Sequence, residues 1–105
     1  MTQAPKAQGP QIPRPQAVAT LQVDDERVRV FRYDFAPGAE TGHHRHGHDY
    51  VIVPVTDGEL LIEHAGGEAR ATLTAGVSYR RNLGVEHNVI NAGSQPLTFI
   101  EVELK

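Results

Sequence analysis

No cysteine occurs among the 105 residues, which excludes disulfides, thiolate metal sites and thiol nucleophiles outright. Any transition-metal site in this chain has to be built from imidazole and oxygen ligands. No apolar run approaches the length of a transmembrane helix, and the first residues lack the basic start and apolar core of a signal peptide. A cytoplasmic location is the expectation. No block of like charge interrupts the sequence and the formal net charge is only -3, so neither nucleic acid nor a membrane is expected as a partner. The i, i+3, i+4, i+7 pattern of an amphipathic helix is also missing.

What is there has the length of one domain, with 39% hydrophobic residues to bury in one core. Residues 1–16 hold four prolines, four glutamines and one large aliphatic residue, Ile12. Such a segment buries too little to offset its ordering entropy, so it is expected to be a flexible arm or to lie along a partner subunit. Residues 17–105 then form the folded domain. Within it, short runs of alternating apolar residues recur between turns: 17–23, 27–35, 59–63, 70–73, 77–81, 87–90 and 97–104. Strands of this length, cut by Asp-Gly, Gly-Gly and Asn-Ala-Gly turns, predict a small all-β barrel or double-sheet jelly roll. Pro54 inside the run VIVPV cannot donate to a ladder, which predicts an edge position or a bulge there.

The densest chemistry lies between Pro37 and Gly58. His43, His44, His46 and His48 fall within six residues and lead directly into the apolar run Tyr50 to Val55. On a strand, His44 and His46 share a face about 7 Å apart at most, close enough to bind one ion. Far along the chain, His87 opens another apolar run after the turn Asn82-Leu83-Gly84 and is followed by Asn91. The intervening strands suffice to bring His87 back beside the first pair.

These residues resemble the two motifs of the cupin superfamily, G-x5-H-x-H-x(3,4)-E-x6-G and G-x5-P-x-G-x2-H-x3-N. Gly38, His44, His46 and Gly58 match the first, and Gly76, Gly84, His87 and Asn91 match every spacing of the second. The stretches HRHGHDYVIVPVTDG and YRRNLGVEHNVIN also resemble the small single-domain cupins of the β-alanine degradation protein type. The resemblance implies a cupin double-stranded β-helix, or jelly-roll barrel, with an extended N-terminal arm. Asn82 stands where the second motif has proline and still makes a turn. The glutamate of the first motif is missing: its place falls on Tyr50 or Val51, depending on the direction of counting. A bulge at Pro54 would absorb that one-residue difference and leave Tyr50 in the glutamate's slot, pointing inward.

What the resemblance implies for the metal is a site of His44, His46 and His87, holding iron, zinc, manganese or nickel. The fourth position is open among Tyr50, His48, Asp49 and water. Occupancy is expected to fall below about pH 6.5, where unperturbed imidazole takes a proton. Arg81 shares parity with Tyr79 and could hold a substrate carboxylate, which makes Tyr50 and Arg81 the candidate catalytic residues. His43, Arg45 and His64 read as solvated, Glu101 and Glu103 as an exposed edge in preference to one of them being a pocket acid, Tyr33 and Phe35 as core or dimer contacts, and Asn91 as a turn-former. The function expected is a metal-dependent cupin, dioxygenase-like or Lewis-acidic, acting on a small polar or anionic metabolite. The alternative is a non-enzymatic binding or structural cupin. A homodimer is expected, since two-fold dimers are the commonest oligomer.

Overall fold

Alternation of buried and exposed side chains builds nine strands in the computed structural model, which describes residues 13–105. They are β1 (Val18–Asp24), β2 (Val28–Phe35), β3 (His44–Arg45), β4 (Asp49–Pro54), β5 (Gly58–His64), β6 (Gly67–Leu73), β7 (Tyr79–Arg81), β8 (Glu86–Asn91) and β9 (Leu97–Leu104). Two sheets result, one in the order β1-β2-β9-β4-β7 and one in the order β3-β8-β5-β6. All of the strand pairings are antiparallel. The expected all-β double-sheet jelly roll is the fold observed. Most of the expected arm, residues 1–12, lies outside the described residues. Its end is held against the barrel: Gln16 bridges Glu40, and the Arg14 guanidinium donates to Glu40 and to both oxygens of Glu63.

The core sits between the sheets, where Phe35, Tyr50, Leu60, Leu73, Leu97 and Phe99 are almost wholly buried. β4 shows how the pattern works: Tyr50, Ile52 and Pro54 point in while Val51 and Val53 are half-buried. Of the two positions expected for Pro54, the edge is the one observed and no bulge forms, because β7 pairs only with Tyr50, Val51 and Ile52 and leaves β9 as the one strand beside the proline among the described residues. β4 pairs with β9 without a shift from Asp49 to Pro54, and the proline ends the strand opposite Phe99. Ending the strand there leaves no further ladder position that needs the missing N–H, so the extra residue of the first motif falls in the turn at 55–57. The bulge in this sheet lies instead between Leu21 and Val23 on β1, an edge strand exposed along its whole length.

Gly58, the closing glycine of the first motif, is required by close approach. A Cβ there would overlap Cδ1 of Leu97 and lie 3.1 Å from its Cγ, and Leu97 is itself buried. Gly58→Ala is therefore expected to lower stability by about 1–3 kcal/mol, the usual cost of overpacking. Urea denaturation checks this as a lower midpoint at unchanged slope.

Candidate metal centre

β3 is only two residues long, and its register carries the site. His44 pairs directly with His87 of β8, and Arg45 with Glu86. A reciprocal pair of backbone bonds then fixes His46: its N–H donates to Val85 O at 2.9 Å, and Gly84 N–H donates to His46 O at 2.7 Å. Gly84 can turn there because its φ of +91° lies in the left-handed region open to glycine. In this way the second motif's turn clamps the first motif's second histidine.

The three rings meet edge to face, with centroids 4.7, 4.8 and 5.1 Å apart. Nε2 of His46 lies 3.0 Å from Nε2 of His44 and 3.1 Å from Nε2 of His87. The tautomer of His44 follows from its other nitrogen. Nδ1 lies 2.8 Å from Gly42 O, a carbonyl that only accepts, so Nδ1 carries the proton and Nε2 presents a lone pair inward. Gly42 is held in turn by Asn88, whose Oδ1 accepts from Gly42 N at 3.0 Å while its Nδ2 donates to Glu40 and Glu63. Lone pairs gathered this closely suit a cation. Separations of 3.0 and 3.1 Å are short enough for nitrogens that would each reach one ion at about 2.0–2.1 Å.

Burial lowers the pKa of His46 and of His87 to about 4, with the neighbouring His44 adding to the effect. Both rings are thus ready as neutral ligands well below pH 6.5, so occupancy is expected to persist lower than an unperturbed imidazole would allow. Burial raises the Glu101 carboxyl to about 7, helped by Glu103. The signs differ. As pH falls from 6.5 to 4, the unfolded chain takes up protons that the two folded rings refuse, and stability is lost. Glu101 works oppositely, since its folded carboxyl binds a proton from about pH 7 downward while the unfolded one waits until about 4.5. Thermal denaturation of metal-free protein is expected to show a shallow maximum near pH 6–7 and a decline toward pH 4 as two rings outweigh one carboxyl.

The remaining candidates fall in several places. Tyr50 is buried and stacks on His46 with ring centroids 3.9 Å apart and planes 18° off parallel. Its hydroxyl has no hydrogen-bond partner among the described residues. Arg81 stands opposite Tyr50 on β7, exposed at the rim of the cavity, with its guanidinium 4.5 Å from the centre of the Tyr79 ring. His48 does not join the converging set. Strand pairing stops at Arg45 and the chain bends at Gly47–His48, so the same-face series ends with His46. Asp49 also stands outside the converging set, its carboxylate accepting from Arg80 at 2.7 Å and from Leu83 N–H at 2.8 Å.

His43, Arg45 and His64 are exposed as expected, and Phe35 is core. Glu101 and Glu103 overturn their expectation: both are buried, 5% and 8% exposed. β9 turns Leu97, Phe99, Glu101 and Glu103 inward, and the alternation begun by Leu97 and Phe99 was the signal that placed them. Asn91 is more than a turn-former. Buried at 2%, it accepts from Gly93 N–H and donates to the carbonyls of Phe35, Ala36 and Gln95. The histidines, Tyr50, Arg81 and Glu101 all line one cavity of about 350 Å³ between the sheets, whose other walls are largely aliphatic and aromatic.

Residues 31–103 match the cupin domain. The chain is a cupin. This cupin is 60% identical over 92 residues to the β-alanine degradation protein BauB of Pseudomonas aeruginosa, covering 88% of this chain and 97% of that one. It is similar to the crystal structure of a cupin domain from Bordetella pertussis, with 52% identity and a TM-score of 0.88 over 90% of this chain and 99% of that chain. A Klebsiella pneumoniae protein with a double-stranded β-helix domain shares the fold at 21% identity, with a TM-score of 0.72 over 90% of this chain and 81% of that chain.

Proposed function

We propose that this cupin holds a divalent transition metal through His44, His46 and His87 and acts on a small polar or anionic metabolite at the positions left open. The observation that carries the reading is the convergence of three imidazole nitrogens, 3.0 and 3.1 Å apart, on the wall of a cavity of about 350 Å³. A set of neutral nitrogens with positions left open would suit iron, manganese, nickel or zinc. When bound, such an ion supplies Lewis acidity and, if iron, a way of activating O2.

The chain's own residues set the rest. Three neutral rings bring no negative charge, so the ligand set leaves the ion's charge uncompensated and attracts an anionic group. Arg81 at the rim offers a second cation with a fork suited to a carboxylate. Tyr50 fixes the plane of His46 by stacking, and the apolar walls keep bulk water out.

Metal analysis of the purified protein is expected to find about one transition-metal ion per chain. At a metal concentration 100 times Kd, binding adds about 2.7 kcal/mol, so a chelator should lower Tm and re-addition restore it. Oxygen uptake with Fe(II) and a panel of small keto acids, thiols and amines tests turnover. No bound metal rejects the reading, while metal-dependent Tm without turnover places the protein among binding cupins.

The reading includes a homodimer. Among the described residues β1 is an open edge with Val18, Leu21 and Val23 exposed at 60%, 52% and 43%, a liability that pairing with a second copy would remove. Sedimentation should show a dimer that Leu21→Glu converts to monomer.

A further inference from the structure

Buried carboxyls ordinarily have partners. Glu103 does, since Arg29 Nε donates to it. Glu101, two residues away on β9, accepts no hydrogen bond from any described residue, although it is as buried and lines the cavity. The Tyr50 hydroxyl is a second buried polar group without a partner among the described residues, on the same cavity wall. Tyr33, Tyr79 and Phe99 line the cavity with them, the rings of Tyr33 and Phe99 5.4 Å apart. All three tyrosine hydroxyls are held above their usual pKa range, by burial first and with the Glu101 charge adding to it.

An unpartnered acceptor among aromatic faces suits a cationic amine. An ammonium group brings three donors, makes charge-assisted bonds to a carboxylate and is attracted to ring faces. We propose that Glu101 and Tyr50, walled by Tyr33, Tyr79 and Phe99, form a subsite for the protonated amine of a small ligand whose other end reaches toward the histidines. This rests on the reading of the cavity as a ligand site and names the chemistry of that ligand. Placement supports it: Glu101 Oε1 lies 3.9 Å from Nδ1 of His46, the nitrogen on the far side of the ring from the converging one. An amine there would lie across the His46 ring from the converging nitrogens, beside the Glu101 carboxyl.

Three probes that share a four-carbon chain separate the possibilities: butylamine, 1-butanol and butanoate. Each is titrated into metal-free protein of residues 1–105 at pH 7.5 and followed by backbone amide NMR shifts. Butylamine is expected to bind at least fivefold more tightly than the other two, with shifts centred on Tyr50, Phe99 and Glu101. Glu101→Gln should reduce that preference to within twofold. If that variant fails to fold, Tyr50→Phe serves, with an expected threefold or greater weakening of butylamine alone. Equal binding of the three probes, tighter binding of butanol or butanoate at these residues, or an unchanged preference in a folded variant overturns the proposal. A Glu101 that only steadies His46 would leave the probe ratio unmoved. Because the measurement needs no metal, it stands apart from metal analysis: failure of either leaves the other readable.

Discussion

Replacing His87 with alanine is expected to weaken divalent-metal binding by at least about 100-fold, the upper end of what losing an outer-shell partner alone costs. His87 supplies one of three converging nitrogens and is the one contributed from the far motif. Without it, His44 and His46 remain as a two-nitrogen site, while the backbone pairing of β3 with β8 is kept. The metal-free protein should change much less, because three rings whose nitrogens sit 3.0 and 3.1 Å apart gain little from one another unless a cation lies between them. His43→Ala is the control. That ring is exposed, lies 3.4 Å from Glu86 and stays outside the converging set, so affinity should hold within about twofold. Isothermal titration with Co(II) or Mn(II) measures both variants. Equal affinity in the wild type and His87→Ala would remove the three-histidine site.

Asn91→Ala is expected to cost about 3 kcal/mol of stability, or roughly 10–20 °C of Tm in a domain this size. Its amide nitrogen serves the carbonyls of Phe35, Ala36 and Gln95, at 3.3, 3.3 and 2.8 Å, and its oxygen serves Gly93 N–H. These ties join the ends of β2 and β8 and the turn before β9, in a place too buried for water to substitute easily. Asn91→Asp separates the donor from the acceptor. It keeps the bond to Gly93 but sets an anion against three carbonyl oxygens, so it should be less stable than the alanine variant at neutral pH. Differential scanning calorimetry orders the three proteins, and an aspartate variant as stable as wild type would contradict this account.

The strands were legible because their alternation is strong and their turns are marked by glycine. RVRVFRYDF and LTFIEVELK read as strands from residue order alone, and β2 and β9 pair along their full lengths. The histidines were legible because fixed spacings encode them: period two puts His44 and His46 on one face, and the turn through Gly84 fixes where His87 lands. His48 and Asp49 were not, because the break in strand pairing after Arg45 depends on Val85 and Gly84 bonding to His46, which no local pattern announces. Glu101 was hidden for a different reason. Carboxylates ordinarily face water, so Ile100 and Val102 read as the inner face, whereas the cavity between the sheets tolerates an acid that a filled core would reject. The hub at Asn88 joins Glu40, Glu63 and Gly42, residues far apart in order, and so leaves no trace in the sequence.

The direct pairing of His44 with His87 has a consequence for how this chain tolerates change. Side chains in a strand alternate strictly, so slipping β3 against β8 by one position would turn one of these rings to the opposite side of the sheet. Metal affinity is therefore a gauge of strand alignment. Length variation in the turns at 55–57 or 65–66 leaves the gauge untouched, whereas one residue inserted between Arg45 and His46, or between Gly84 and His87, abolishes the reading while most of the barrel stays intact.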